Sequence, residues 1–211
     1  MNMSKRTLAF AIGFFALGMV LFLGGCNQEA GKGTAGKPKL DARQIKALEQ
    51  AAEAGDAIEK YGLGKKYREG DMVPLNLTNA AIWYRKSAEA GYAKAQYHMG
   101  LACQAGDGVA KNPAEAAKWY EKAADQGNAN AQEKLGFLYW KGEGVTKNLV
   151  EAYKWCTLAA AGGEGKAAKA LKKLEIAMTP QQVADAKKAA AAFMPKKAFQ
   201  KADTEAKAKA E

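Results

Sequence analysis

The sequence predicts an all-α fold, a solenoid of antiparallel helix pairs, and three observations carry that prediction. Trp83, Trp119 and Trp155 stand 36 residues apart. The same period returns glycine at Gly64, Gly100 and Gly136 and at Gly91, Gly127 and Gly163, and asparagine at Asn76, Asn112 and Asn148. Alanine fills Ala80, Ala116 and Ala152, and again Ala88, Ala124 and Ala160. A period in this range marks stacked supersecondary units, each of which buries its apolar face only against its neighbours.

The array does not begin at once. Lys5 and Arg6 precede an uncharged run from Thr7 to Leu23, closed by Leu23-Gly24-Gly25-Cys26. Residues 1–25 have the pattern of a signal peptide, with small residues where a peptidase must reach the chain. The ending resembles a bacterial lipobox. That resemblance implies a mature chain starting at Cys26, with a thioether-linked diacylglyceryl on its sulfur and a further acyl chain such as palmitate on its amine. Two or more chains hold a protein at a membrane where one is marginal. An uncleaved anchor, of about 17 residues and at the short limit for spanning a bilayer, and an ordinary secretory signal are the alternatives. Asn27 is compatible with the outer membrane, where aspartate would suggest the inner one. Residues 26–39 form the lipidated N-terminus and a Gly- and Lys-rich tether, on the order of 20 Å long as a random coil.

The solenoid is expected over 40–193. Residues 40–55 read as a half-repeat, the second helix of a unit that lacks its first. Units follow at 56–91, 92–127 and 128–163, each helix, loop, helix. Asn112 and Asn148 precede second helices with Glu115 and Glu151 three residues on, the spacing of a capping box, and Pro113 takes the favoured first position. Gly91 and Gly127 read as left-handed helix ends. The loops Gly106-Asp107-Gly108-Val109 and Gly142-Glu143-Gly144-Val145 use glycine to turn and valine to re-enter the core. Met72 and Pro74 break that pattern in the first unit, so its loop is expected to differ in shape. A cap follows at 164–193, where Lys172 replaces the glycine column and Thr179-Pro180-Gln181-Gln182 opens a last helix. Residues 194–211 read as a charged tail.

Ala131, Leu135-Gly136, Tyr139, Gly142, Gly144-Val145, Ala152, Trp155, Ala159-Ala160 and Gly162 or Gly163 resemble the signature of the Sel-one-like repeat, a relative of the tetratricopeptide repeat. Ala116, Trp119-Tyr120, Lys122-Ala123-Ala124 and Gly127 repeat it. The resemblance implies a right-handed superhelical solenoid whose concave face is lined by the first helices. It also implies an adaptor that gathers proteins into complexes, with lipidated bacterial members associated with envelope processes.

Composition restricts the partners. The formal charge of +10 becomes +8 once residues 1–25, whose only charged side chains are Lys5 and Arg6, are removed. Such an excess attracts polyanions. Outside the cytoplasm these are cell-wall polymer, anionic lipid surfaces or acidic proteins rather than nucleic acid, and a solvated lysine-rich surface is the plainer reading.

Nothing in the chain is arranged for catalysis, and no cofactor or metal is expected. Ser87 shares a packing column with Ala123 and Ala159. His98 and Cys103 lie about 140° apart around a helix and cannot form a thiol–imidazole pair. One histidine and scattered cysteines do not make a zinc site. The glycines at Gly106 and Gly108 lack the Lys-Ser/Thr of a phosphate loop. Cys103 and Cys156, in different repeats with two helices between them, are expected buried and unpaired.

Binding is read from columns that vary between units. Tyr61, Tyr97 and Glu133 form one, Gly62, His98 and Lys134 a second, and Arg68, Gln104 and Trp140 a third. Trp140 is either an aromatic anchor for a partner or a cover for the next helix pair. The expected function is a membrane-anchored scaffold of the bacterial envelope holding a protein or peptide at Tyr61, Arg68, Tyr97, His98, Gln104, Glu133, Lys134 and Trp140. A basic module binding cell-wall polymer or anionic lipid is the alternative.

Overall fold

The computed structural model describes residues 39–195, and the signal peptide, Cys26, most of the tether and most of the tail lie outside them. Nine helices and no strand are present among the described residues. They are α1 Ala42–Ala54, α2 Ala57–Glu69, α3 Leu77–Glu89, α4 Ala93–Ala105, α5 Pro113–Asp125, α6 Ala129–Lys141, α7 Leu149–Ala161, α8 Gly165–Ala177 and α9 Pro180–Ala191. The pairs α2–α3, α4–α5 and α6–α7 are the three units, α1 is the half-repeat, and α8 with α9 closes the array. The architecture is a right-handed superhelical solenoid of antiparallel helix pairs.

Each second helix starts where its asparagine says it should. Asn76 Oδ1 accepts from the Asn79 N–H, Asn112 from Glu115, and Asn148 from Val150 and Glu151. Such a cap is worth about 1 kcal/mol. The reciprocal half of the capping box is missing at both Glu115 and Glu151, because the Asn112 and Asn148 N–H groups already donate to Cys103 O at 2.7 Å and Tyr139 O at 3.0 Å. Glu115 Oε1 instead accepts from Arg85 Nη2 at 3.1 Å and Trp119 Nε1 at 3.3 Å. The carboxylate, with no cap N–H left to accept from, takes a charged partner in the preceding unit.

The glycine column is where the two helices of a unit touch. A Cβ at Gly100 would lie 2.5 Å from the Tyr120 ring, and one at Gly64 2.7 Å from Tyr84. In the third unit Cys156 takes the tyrosine's place, its Sγ 2.8 Å from where a Gly136 Cβ would be. Trp140 and Phe137 pack against the cluster containing Cys156, so bulk removed from one helix returns on the other. The three repeated tryptophans are core residues, each at most 7% exposed.

The first loop does not differ in shape. Gly70, like Gly106 and Gly142, ends its helix at positive φ, and Met72 adopts φ 66°, matching 71° at Gly108 and 72° at Gly144. The local contacts explain why methionine is tolerated. A Cβ at Gly108 would meet Leu77 O at 2.1 Å, and one at Gly144 the Pro113 backbone at 2.3 Å. At Met72 the preceding chain is the start of the half-repeat, and Leu40 N–H donates to Met72 O at 2.7 Å. The loop's outcome is set by Val73, which is fully buried, and by Asn76 N–H donating to Tyr67 O.

At the far end, Thr179 and Gln182 form both halves of a capping box, and α9 folds back onto α7. Phe193 stands edge-on to Trp155, with ring centroids 5.5 Å apart. Lys172 is exposed in the glycine column, with no helix packed over it.

Candidate partner-binding face

The first helices α2 and α4 bring four of the expected residues, Tyr61, Arg68, Tyr97 and His98, together around one aromatic cluster. His98 stacks on Tyr84 at 5.0 Å between ring centroids, with Tyr61 5.5 Å and Tyr97 5.4 Å away. Tyr61 is also 5.3 Å from Tyr92 in a T-shaped contact. Arg68, exposed at the edge, places Nη1 2.9 Å from His98 Nδ1. Arginine can only donate, so Nδ1 accepts and the ring carries its proton on Nε2. Burial first, then the Arg68 and Lys65 charges, hold the His98 pKa down at about 4. The imidazole is therefore neutral at physiological pH. Burial pushes Tyr84 up to about 12, and Tyr61 and Tyr97 are raised by the same cause.

Tyr97 joins this cluster to a groove of about 410 Å³ lined also by Glu133, Lys134, Glu164, Lys166 and Lys169. Glu133 is 7% exposed, and its Oε2 has no hydrogen-bond partner. Two expected residues lie apart. Gln104 accepts from the Tyr120 hydroxyl at 2.8 Å, and Trp140 stacks with Phe137 at 6.2 Å against the C-terminal core. Tyr84 and Tyr92 belong to the cluster but were not expected there. Tyr84 sits in a core column, and only the three-dimensional stacking on His98 reveals its second role.

A larger groove, about 630 Å³, is lined by α5, α7, the 145–148 segment and Phe193, with Glu121, Asp125 and Glu151 among its walls. Cys103 and Cys156 are buried and unpaired thiols. Burial pushes them up to about 11 and about 12, far from the thiolate form a reactive cysteine needs. Among the described residues no group of three or more His, Cys, Asp or Glu side chains could hold a metal ion.

The family model for the Sel1 repeat matches residues 60–92, 93–128 and 129–164. The crystal structure of a Sel1 repeat protein from Oxalobacter formigenes is 39% identical, over 62% of this chain and 98% of that one, with a TM-score of 0.56. The chain belongs to the Sel1 repeat family. A second Sel1-type structure is c5321, a protective antigen present in uropathogenic Escherichia coli strains. It is 32% identical over 70% of this chain, with a TM-score of 0.61. This chain spans only 32% of that protein's length. Comparison with curated proteins returned no match. Sel1 repeat proteins are generally protein–protein interaction scaffolds and typically non-catalytic.

Proposed function

We propose that this Sel1 repeat protein is a lipid-anchored scaffold of the bacterial envelope that holds a partner protein or peptide along its first helices. The observation that carries the reading is the aromatic cluster of Tyr61, Tyr97 and His98, continued through Tyr97 into the groove of Glu133 and Lys134. Large aromatic rings held in place by neighbours are what binding hot spots are made of, because little side-chain entropy is left to lose. The groove is short and suits an extended peptide or one helix. The Cys26 anchor, reached through the 27–39 tether, would keep that partner within tens of ångströms of the membrane.

The protein-binding reading and the charge-driven one separate by salt. Full-length protein used as bait in envelope extract is expected to retain a partner at 0.5 M salt and to lose it on Tyr97→Ala. Retention only at low salt, indifferent to Tyr97→Ala and shared by purified cell-wall polymer, would establish the polyanion reading. Cys26→Ser is expected to abolish incorporation of labelled palmitate and release the protein from the membrane fraction. Unchanged labelling in that variant would remove the anchor from the account.

A further inference from the structure

Tyr84 and Tyr120 hold the same position in consecutive units, but their hydroxyls have different fates. Tyr120 donates to Gln104 Oε1 at 2.8 Å. One unit earlier the place of Gln104 is taken by Arg68, a donor whose Nη1 is engaged with His98 Nδ1. Tyr84 is 3% exposed, and its hydroxyl has no hydrogen-bond partner. A buried polar group left in that state costs about 1–3 kcal/mol. Tyr84, Arg68 and His98 line one pocket between α2, α3 and α4, walled on its apolar side by Leu77, Ala81 and Leu101. With Nδ1 accepting, His98 has only a donor left to offer at Nε2. The pocket thus gathers donors, and the carboxylate on its lining is Asp107.

We propose that this pocket receives the carboxylate of a bound peptide, with the Tyr84 hydroxyl and the Arg68 guanidinium as its donors. The size fits that group. The inner volume is about 40 Å³. One water needs on the order of 10–15 Å³ by the same measure. Room for about three non-hydrogen atoms suits a carboxylate and not a phosphate's five. The neutral His98 ring holds Arg68 in place by accepting from it, without adding a second positive charge to the lining. Asp107, exposed on the same lining, repels an incoming carboxylate and sets a limit on its affinity. The inference rests on the first helices being the partner face, but it concerns one subsite and is tested without the partner.

The test is a titration of the full-length chain in detergent micelles, labelled at tyrosine Cζ and arginine Nε and followed by NMR. Three probes are used: N-acetyl-alanyl-leucine with a free carboxylate, its C-terminal amide, and N-acetyl-glutamic acid α-amide, whose only carboxylate is on the side chain. Saturable shifts at Tyr84 and Arg68 are expected from a carboxylate probe, with the amide at least tenfold weaker. The two carboxylate probes separate a chain terminus from an acidic side chain as the source. Tyr84→Phe and Arg68→Gln should each weaken binding about tenfold, the size of one lost hydrogen bond to a charged group. Tyr120→Phe, whose hydroxyl already has Gln104, should leave the affinity unchanged. Tyr84→Phe removes an unpartnered group, so its thermal midpoint should not fall, which separates lost binding from lost folding. Equal binding of the amide, or no shift from any probe, would overturn the proposal and leave the pocket to water. Failure of partner capture with a positive titration would sink the scaffold reading alone.

Discussion

Gly108→Ala is expected to destabilise the protein by about 3 kcal/mol or more, from a left-handed conformation costing about 1–2 kcal/mol and a steric clash costing about 1–3 kcal/mol. The backbone there has φ 71°, and the added Cβ would stand 2.1 Å from Leu77 O. Backbone oxygen at that distance cannot rotate away as a side chain can. The whole interface between two units would have to shift. Met72→Gly makes the opposite change in the same loop position and is expected to stay within about 1 kcal/mol of wild type, since relief of strain is offset by a freer unfolded chain. Urea denaturation of the two variants checks the pair. Comparable losses from both would show that the first loop is not held as the other two are.

His98 supplies the second large effect, and it is a dependence on pH. Its folded pKa, about 4, lies below the ordinary value of 6.5. Between these values the unfolded chain takes up a proton that the folded protein refuses. Stability is therefore complete above about pH 6.5 and falls as the pH drops toward 4, by at most about 3 kcal/mol. Burial is the main cause, and the charges facing the ring, Arg68 and Lys65, act in the same direction. The chain has a single histidine, so its imidazole signals in an NMR titration need no assignment. A midpoint near 4, and a shallower loss of stability in His98→Gln over the same range, are expected. A midpoint near 6.5 would mean that the ring is solvated and the Arg68 contact is not maintained.

The repeat columns made the helices, their caps and the core legible because each depends on a residue's own place in the unit. Asn76, Asn112 and Asn148 cap helices wherever the unit puts them. What the columns could not show are bonds between residues that hold different places in the unit, some within one unit and some across two. Arg68 to His98, Arg85 to Glu115, Ser87 to Ala57 O and Gln126 to Gln96 all join residues 30 apart, out of register with the 36-residue period. A comparison made one column at a time passes over such pairs. Glu115 illustrates the consequence. Its spacing from Asn112 is that of a capping box, as at Asp56 and Glu59, where both bonds form. At Asn112 and Asn148 the cap N–H is already donated to a carbonyl of the preceding helix, so neither Glu115 nor Glu151 completes the box. Ser87 likewise sits in an alanine column and is fully buried, yet its hydroxyl donates to Ala57 O at the start of its own unit's first helix.

The candidate face was legible in its parts and not in their grouping. Tyr61, Tyr97, His98 and Arg68 come from three columns, and the fold collects them because Tyr84 packs its ring against Tyr61 and His98 while His98 holds Tyr97 and Arg68. Trp140, a large aromatic among polar column mates, is drawn instead toward the smaller Cys156 side of its own unit. Residue type singled it out, while its packing follows from a substitution sixteen residues away.

The measurement that bears most directly on the scaffold reading is photo-crosslinking in cells from positions 97, 134 and 140, with Lys118 on α5 as an exposed second-helix control. A single protein captured from 97 and 134 and not from 118 is the result this account predicts. Capture of glycan fragments, or equal yields from all four positions, would contradict it and assign the surface to charge alone.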